Sequence, residues 1–139
     1  MNFQDFVERK VVRKALPDIQ LAKALIKMSH DHIETMKSIE LTDRTASIII
    51  SDYYEALREI IEAICSIKGY KVYSHEAFTY FLKENGEDLI GDKFDRFRKI
   101  RNSVHYYGKQ IEKESVKANK IEVEKIIDYL KEKFLKDFI

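Results

Sequence analysis

The chain has few of the residues that interrupt helices or cross-link a fold. Its 139 residues include one proline, Pro17, four glycines and one cysteine, Cys65. A lone cysteine excludes a disulfide framework within the chain, and its apolar neighbours predict a thiol buried in the core. Because alanine, leucine, isoleucine, lysine and glutamate dominate instead, we predict helices along almost the whole chain.

Long apolar runs are absent as well. The most apolar stretch, residues 46–50, is far too short to cross a bilayer. Residues 1–5 lack the basic and apolar regions of a targeting segment. We therefore expect a cytoplasmic protein with no membrane partner.

Several signatures of enzymes and metal sites are missing too. The chain has no glycine-rich phosphate loop, no serine nucleophile elbow and no CxxC pair. His30 and His32 are two residues apart, so on a helix they point to nearly opposite sides and cannot chelate one ion. His75 follows a predicted helix cap, where the dipole disfavours its charge, and we expect it to make a structural hydrogen bond. We predict neither a metal site nor a cofactor.

Six segments have the apolar periodicity of an amphipathic helix. They cover residues 2–16, 19–39, 43–68, 75–84 and 87–107, with a last helix from residue 121 onward after a polar segment, 109–120. Asp18, Thr42 and Ser74 are the expected caps of the second, third and fourth helices. The third helix has the most continuous apolar stripe, formed by Ala46, Ile50, Tyr53, Leu57, Ile60, Ile61 and Ile64. Short connections make neighbouring helices antiparallel, so we predict one domain, residues 1–139, folded as an all-α up-and-down bundle.

The predicted fifth helix gathers more groups able to bind a phosphate than any other part of the chain. Arg98, Asn102 and His105 share one stripe on this helix, with Arg101 at its edge. A second stripe, rotated away from the first, is apolar and consists of Ile90, Phe94, Phe97, Ile100, Val104 and Tyr107. The apolar face is therefore predicted to pack against the core, and the polar face is predicted to carry the functional residues.

The end of this helix is also specified by the sequence. Gly108 suits a left-handed helix end, which puts His105 in the last turn, where the dipole favours a protonated imidazole. Four tyrosines can each bring a hydroxyl towards this region, although burial with the hydroxyl at the core edge is the commoner role: Tyr53, Tyr54, Tyr106 and Tyr107.

Charge is unevenly distributed along the chain. Residues 93–120 contain nine basic and three acidic side chains, a net +6, whereas the whole chain carries +1. Such a local excess suits a polyanion such as RNA or a nucleotide. A solvated, lysine-rich helix is the other interpretation of the same pattern.

These motif residues resemble the signature of the HEPN superfamily, in which an arginine is followed by a histidine after four to six residues near the end of a helix. Arg98 and His105, with six residues between them, match that spacing. The stretch SDYYEALREIIEAICSIKGYKVYSHEAFTYFLKEN, residues 51–85, is similar to the core helix of the superfamily, its glycine break and the start of the next helix.

The resemblance implies a bundle of four to six helices that forms a homodimer through the motif helix and cleaves RNA without a metal, as the toxin of a toxin–antitoxin or defence system. By analogy, His105 is a general acid or base, Arg98 stabilises charge on the phosphorane and Asn102 orients the phosphate, while Arg101 replaces or assists Arg98. The residues expected to bind RNA or a nucleotide are Lys99, Arg101, Tyr106, Tyr107 and Lys109.

The spacing also departs from that of many active relatives, in which asparagine directly follows the motif arginine and histidine stands four residues after it. Here only two residues separate Asn102 from His105. Two alternatives therefore stay open beside the ribonuclease. The domain can be a non-catalytic module that binds a nucleotide or a small nucleotidyltransferase. In some such pairs the nucleotidyltransferase modifies a tyrosine two residues after the motif histidine, and Tyr107 occupies that position here. These polar residues can also form only a dimer interface between two copies of the chain, without catalysing a reaction.

Overall fold

Six α-helices account for most of the computed structural model, which describes residues 1–139. In chain order the elements are α1 (Phe3–Glu8), β1 (Val12–Lys14), α2 (Ile19–Lys37), α3 (Ala46–Ile67), β2 (Tyr70–Val72), α4 (His75–Glu84), α5 (Asp88–Tyr107) and α6 (Lys113–Phe134), followed by a short 3-10 turn, Lys136–Phe138. The all-α bundle predicted from the sequence is confirmed. None of these helices combines the length and apolar character needed to cross a membrane.

Helix α3 lies at the centre of the bundle because its apolar residues cover most of its circumference. All seven residues of the predicted stripe are buried. Helices α2, α4, α5 and α6 pack around it. Cys65 is fully buried on the same helix, and burial raises the pKa of its thiol well above the ordinary value. The predicted core helix and the core thiol are therefore confirmed.

The predicted first helix, residues 2–16, is wrong beyond Glu8. Lys10 adopts a left-handed conformation with φ 62°, which ends the helix, and the chain then forms β1. This strand pairs antiparallel with β2, with Val12 opposite Val72. Val12 is buried at 1% exposure. A β-branched side chain that is buried by pairing with a distant strand overrides the local helical periodicity.

The start of α6 also differs from the prediction. The helix begins at Lys113, so most of the segment predicted as polar and non-helical, 109–120, is helical. Val116, Asn119 and Val123 recur at helical spacing and are buried against the bundle, while Lys117 is exposed and Lys120 is half-buried. The lysine-rich composition of this stretch concealed its apolar side.

Helix boundaries that depend on local signals are mostly as predicted. Asp18 caps α2, since its carboxylate accepts a hydrogen bond from the Leu21 N–H at 2.9 Å. Ser74 occupies the N-cap of α4, although its hydroxyl makes no capping hydrogen bond. Thr42 lies one turn before α3, whose N-cap is Thr45, so the predicted cap position is wrong by one turn. Instead, the hydroxyl of each threonine accepts a hydrogen bond from the backbone N–H of the other.

Helix α5 packs mainly on α4 and α3 through the apolar stripe predicted from its sequence. Phe94 and Phe97 are buried, and the Phe94 ring stacks on Tyr54 with centroids 5.4 Å apart. Tyr107 is 77% exposed, so its predicted place in this stripe is wrong. Gly108 ends the helix in the left-handed conformation with φ 63°, as predicted. Packing on this side turns the polar residues of α5 towards solvent.

Candidate functional site

A polar surface cleft of about 360 Å³ lies where the first turn of α4 meets the second half of α5. Its lining residues are Ser74, His75, Glu76, Arg98, Arg101, Asn102 and Tyr106. The cleft exists because Phe94 and Phe78 pack α5 against α4, with ring centroids 6.2 Å apart. Helical periodicity then places one polar stripe of α5 beside the N-terminal turn of α4.

Arg101 forms the inner wall of the cleft and differs from the other arginines of α5. Its Nη2 lies 3.0 Å from Nδ1 of His75, and its guanidinium carbon lies 4.8 Å from the centroid of the Tyr54 ring. Its Nε is buried and has no hydrogen-bond partner. No carboxylate lies at ion-pair distance, whereas Arg96 pairs with Glu122 and Arg98 pairs with Asp95. Arg101 therefore carries a half-buried positive charge that no carboxylate compensates.

His75 holds Arg101 through a ring nitrogen that accepts hydrogen bonds. A guanidinium can only donate, so Nδ1 of His75 is the acceptor and carries no proton. The Tyr54 hydroxyl, 2.8 Å from the same nitrogen, donates to it as well. Burial, with Arg58 and Arg101 nearby, lowers the pKa of His75 to about 4. Burial also raises the pKa of the Tyr54 hydroxyl to about 12, so it keeps its proton.

Arg98 also lines the cleft, but it is paired with a carboxylate. Its Nε and Nη2 both donate to Oδ1 of Asp95, at 3.1 Å and 2.7 Å. Lys99 pairs with the other oxygen of the same carboxylate at 3.0 Å. Although partial burial acts in the opposite direction, these hydrogen bonds lower the pKa of Asp95. Arg98 and Lys99 therefore share one anion within the helix.

His105 lies in the last turn of α5 and is exposed. Its Nε2 is 3.0 Å from the hydroxyl of Ser51 on α3, and it does not line the cleft. The residue is four positions after Arg101, which on a helix leaves the two side chains about one turn apart on the same face. The predicted acid or base thus stands at the end of the cleft rather than inside it.

The remaining predicted site residues divide into two groups. Asn102 and Tyr106 line the cleft, where the Asn102 amide makes no hydrogen bond with the protein and Tyr106 is 71% exposed. Tyr107 and Lys109 are exposed at the end of α5 and do not line the cleft. The structure therefore brings together four of the predicted residues: Arg98, Arg101, Asn102 and Tyr106.

Most cations of residues 93–120 are paired with carboxylates, but they share few of them, so the segment keeps a positive excess. Five of its cations have carboxylate partners: Lys93, Arg96, Arg98, Lys99 and Lys117. Lys120 lies over the ring of Tyr53, with its Nζ 5.6 Å from the centroid. The cations without a carboxylate partner are thus fewer than the sequence indicates, and Arg101 is the one of them that lines the cleft.

Sequence reasoning missed two parts of this arrangement. It gave His75 a structural hydrogen bond without identifying Arg101 as the partner, and it did not connect Ser51 with His105. Both contacts join residues that are distant in the chain, and no local pattern reveals them. No group of three or more His, Cys, Asp or Glu side chains is arranged to hold a metal ion.

Comparisons with models of known protein families, with curated proteins and with solved structures found no match to this chain. The resemblance to the HEPN superfamily therefore depends on the Arg98 to His105 spacing and on residues 51–85. The chemistry of the cleft is an independent basis for assigning a function.

Proposed function

We propose that the protein is a metal-independent endoribonuclease that binds the RNA backbone in the cleft between α4 and α5. One observation carries this proposal: Arg101 presents a half-buried guanidinium that no carboxylate compensates. Guanidinium groups bind phosphate oxygens through two parallel N–H donors, and burial strengthens such charge-assisted hydrogen bonds. The free amide of Asn102 lies beside it and adds a donor for the same anion.

The proposed reaction is a transesterification within the RNA chain. The ribose 2′-hydroxyl loses its proton and attacks phosphorus, the bond from phosphorus to the 5′ oxygen breaks, and that oxygen takes up a proton. The products are a 2′,3′-cyclic phosphate and a 5′-hydroxyl. Arg101 stabilises the charge that develops on the phosphate oxygens, Asn102 orients the phosphate, and His105 transfers one of the protons.

This assignment gives Arg101 the role that the resemblance implied for Arg98. Arg98 is paired with Asp95 and contributes to the field of the cleft, whereas Arg101 has no anion of its own. Tyr106 is exposed at the cleft edge and offers a ring on which a base can stack. Lys99, Tyr107 and Lys109 extend the RNA-binding surface towards the end of α5.

A homodimer through the motif helix completes the proposed site. The reaction needs a base for the 2′-hydroxyl and an acid for the 5′ oxygen, and one His105 cannot do both in a single step. A second copy related by a two-fold axis supplies the second His105. In a cytoplasmic toxin or defence protein, this dependence on assembly restricts cleavage to the dimer.

Cleavage of a labelled, mixed-sequence RNA in EDTA tests the proposal. We expect the purified protein to produce 2′,3′-cyclic phosphate ends and the His105→Ala variant to lose this activity by about two orders of magnitude or more. His30→Ala removes an exposed histidine of α2 and should leave the rate unchanged. The proposal fails if the folded, dimeric wild-type protein leaves the RNA intact, or if His105→Ala and wild type cleave at the same rate.

A second candidate function is binding without cleavage, as in a nucleotide-binding or nucleotidyltransferase-partner module. The observation that favours it is the contact between His105 Nε2 and Ser51, which occupies one ring nitrogen and keeps the imidazole outside the cleft. Tyr107 is 77% exposed, so its hydroxyl is accessible to a modifying partner. RNA that binds through Arg101 and is never cleaved is the outcome that selects this candidate.

A further inference from the structure

The contacts of His75 leave one of its ring nitrogens available to a ligand. Nδ1 receives the Arg101 and Tyr54 donors at 3.0 Å and 2.8 Å, so the neutral ring carries its proton on Nε2. Nε2 makes no hydrogen bond with the protein and is not among the enclosed, unpartnered polar atoms. Since His75 lines the cleft beside Arg101, its Nε2–H is a donor open to whatever the cleft binds.

We infer that His75 contacts the substrate directly, as a neutral imidazole that donates its Nε2–H to an oxygen of the phosphodiester bound by Arg101. This inference rests on the phosphate site of the proposed function, but it does not require that the bound RNA be cleaved. It adds to the cleft a residue that the motif on α5 does not contain.

The donor is fixed in place before any ligand arrives. Tyr54 is 1% exposed and stacks on Phe94, so the hydroxyl that bonds Nδ1 is held by the core. Two donors on Nδ1 leave a single tautomer for the ring, with the proton on Nε2. A donor that needs no reorientation on binding loses little entropy when a phosphate oxygen reaches it.

The electrostatic surroundings favour a neutral donor over a charged one at this position. The charged groups that act on the pKa of His75 are Arg58 and Glu55 on α3 and Arg98 and Arg101 on α5. His75 is also the first residue of α4, where the helix dipole disfavours an imidazolium and favours an anion. The cleft is also lined by Arg98, which is paired with Asp95, and by the carboxylate of Glu76, so Arg101 and the neutral N–H of His75 are the donors there without an anion of their own.

Two substitutions separate a contact role from a role in positioning Arg101. In His75→Asn, the amide oxygen takes the place of Nδ1 and can still accept from Arg101 and Tyr54, but nothing replaces the Nε2–H donor. In His75→Gln, the amide nitrogen reaches the place of Nε2 and keeps a donor there, while the acceptor for Arg101 is lost. A direct contact and a purely positioning role thus predict opposite orders of affinity.

The experiment is fluorescence anisotropy with a labelled single-stranded 2′-O-methyl RNA, which lacks the attacking hydroxyl and cannot be cleaved by the proposed reaction. We expect His75→Asn to weaken binding about threefold to tenfold and His75→Gln to stay within about twofold of wild type. The inference is overturned if glutamine weakens binding and asparagine does not, or if neither variant changes the affinity. Thermal unfolding of each variant confirms that it is folded.

A measurement on the unmodified protein covers the case in which a variant does not fold. Long-range ¹H–¹⁵N NMR of the histidine rings should identify the Nε2–H tautomer of His75 at pH 7, and its Nε2 signal should shift when the 2′-O-methyl RNA is added. A proton on Nδ1, or an Nε2 signal indifferent to the RNA, contradicts the inference. Arg101→Gln tests the phosphate site separately from the contact of His75, since unchanged RNA affinity in that variant refutes the phosphate site itself.

Discussion

At the scale of single residues, the protonation of His75 decides whether the cleft keeps its arrangement. Protonation would place an N–H of the imidazolium against the N–H groups of Arg101 and add a second cation 3.0 Å away. Burial and the neighbouring arginines oppose this, which is why the pKa of His75 is lowered to about 4. Because of these interactions, protonation of Nδ1 of His75 changes the free energy of unfolding.

We expect this linkage to appear as a dependence of stability on pH. The unfolded chain takes up a proton on His75 near its ordinary pKa of 6.5, whereas the folded protein does so only near pKa 4. The free energy of unfolding should therefore fall as the pH is lowered from 6.5 to 4, and this contribution should be constant above and below that window. Urea unfolding of wild type and His75→Asn at several pH values measures it.

The variant should lose part of this pH dependence, because it has no imidazole to protonate. His30→Asn provides the matched control, since it removes an exposed histidine of α2 and should retain the wild-type slope. Parallel curves for wild type and His75→Asn would show that His75 is not protected from protonation.

At the scale of elements, the sequence determines the features that depend on nearby residues. Asp18 and Gly108 mark the start of α2 and the end of α5, and helical spacing alone places Arg98, Arg101 and Asn102 on one face. The pairing of β1 with β2 could not be predicted in this way, because it joins segments separated by two long helices. The contact of Arg101 with His75 is non-local in the same way. The sequence therefore predicted the residues that α5 contributes to the cleft, but not their contact with α4.

The turn between α3 and β2 offers a test of how the strand pair is held. Gly69 has φ 84°, and a Cβ there would lie 2.7 Å from the carbonyl oxygen of Ala15. Gly86 has φ 80°, but a Cβ there would meet nothing within 4 Å. We expect Gly86→Ala to cost about 1 kcal/mol of stability from backbone strain.

Gly69→Ala should cost clearly more, since the methyl group also displaces Ala15, which directly follows strand β1. The Ala15 N–H donates to the Gly69 carbonyl at 2.8 Å, so this displacement breaks a hydrogen bond beside the strand pair. Chemical denaturation of both variants gives the comparison. Equal losses would mean that a Cβ at Gly69 does not in fact meet the carbonyl oxygen of Ala15.

At the scale of the whole molecule, a net charge of +1 conceals a local positive region. Asp95 and Glu122 each pair with two cations of α5, which leaves Arg101 as the cation at the cleft wall without a carboxylate partner. Binding of RNA in the cleft should therefore depend on few phosphate contacts, one of them made by Arg101.

RNA affinity should accordingly fall with salt concentration, along a shallow slope. Removing one phosphate contact lowers the magnitude of this slope by about 0.7 for a single strand, so Arg101→Gln should bind more weakly and with a shallower slope than wild type. Arg44→Gln, an exposed arginine in the connection between α2 and α3, is the control. Anisotropy titrations at several salt concentrations measure both quantities, and identical slopes for wild type and Arg101→Gln would exclude Arg101 as a phosphate contact.

The placement of the cleft has one more consequence. His75 belongs to α4 and Arg101 to α5, and Tyr54, which bonds the imidazole, belongs to α3. A ligand held by these groups bridges helices that must all be docked for it to bind. Thermodynamic linkage then makes the ligand a stabiliser of the bundle, so that the unfolding temperature rises with ligand concentration even when no bond is cleaved.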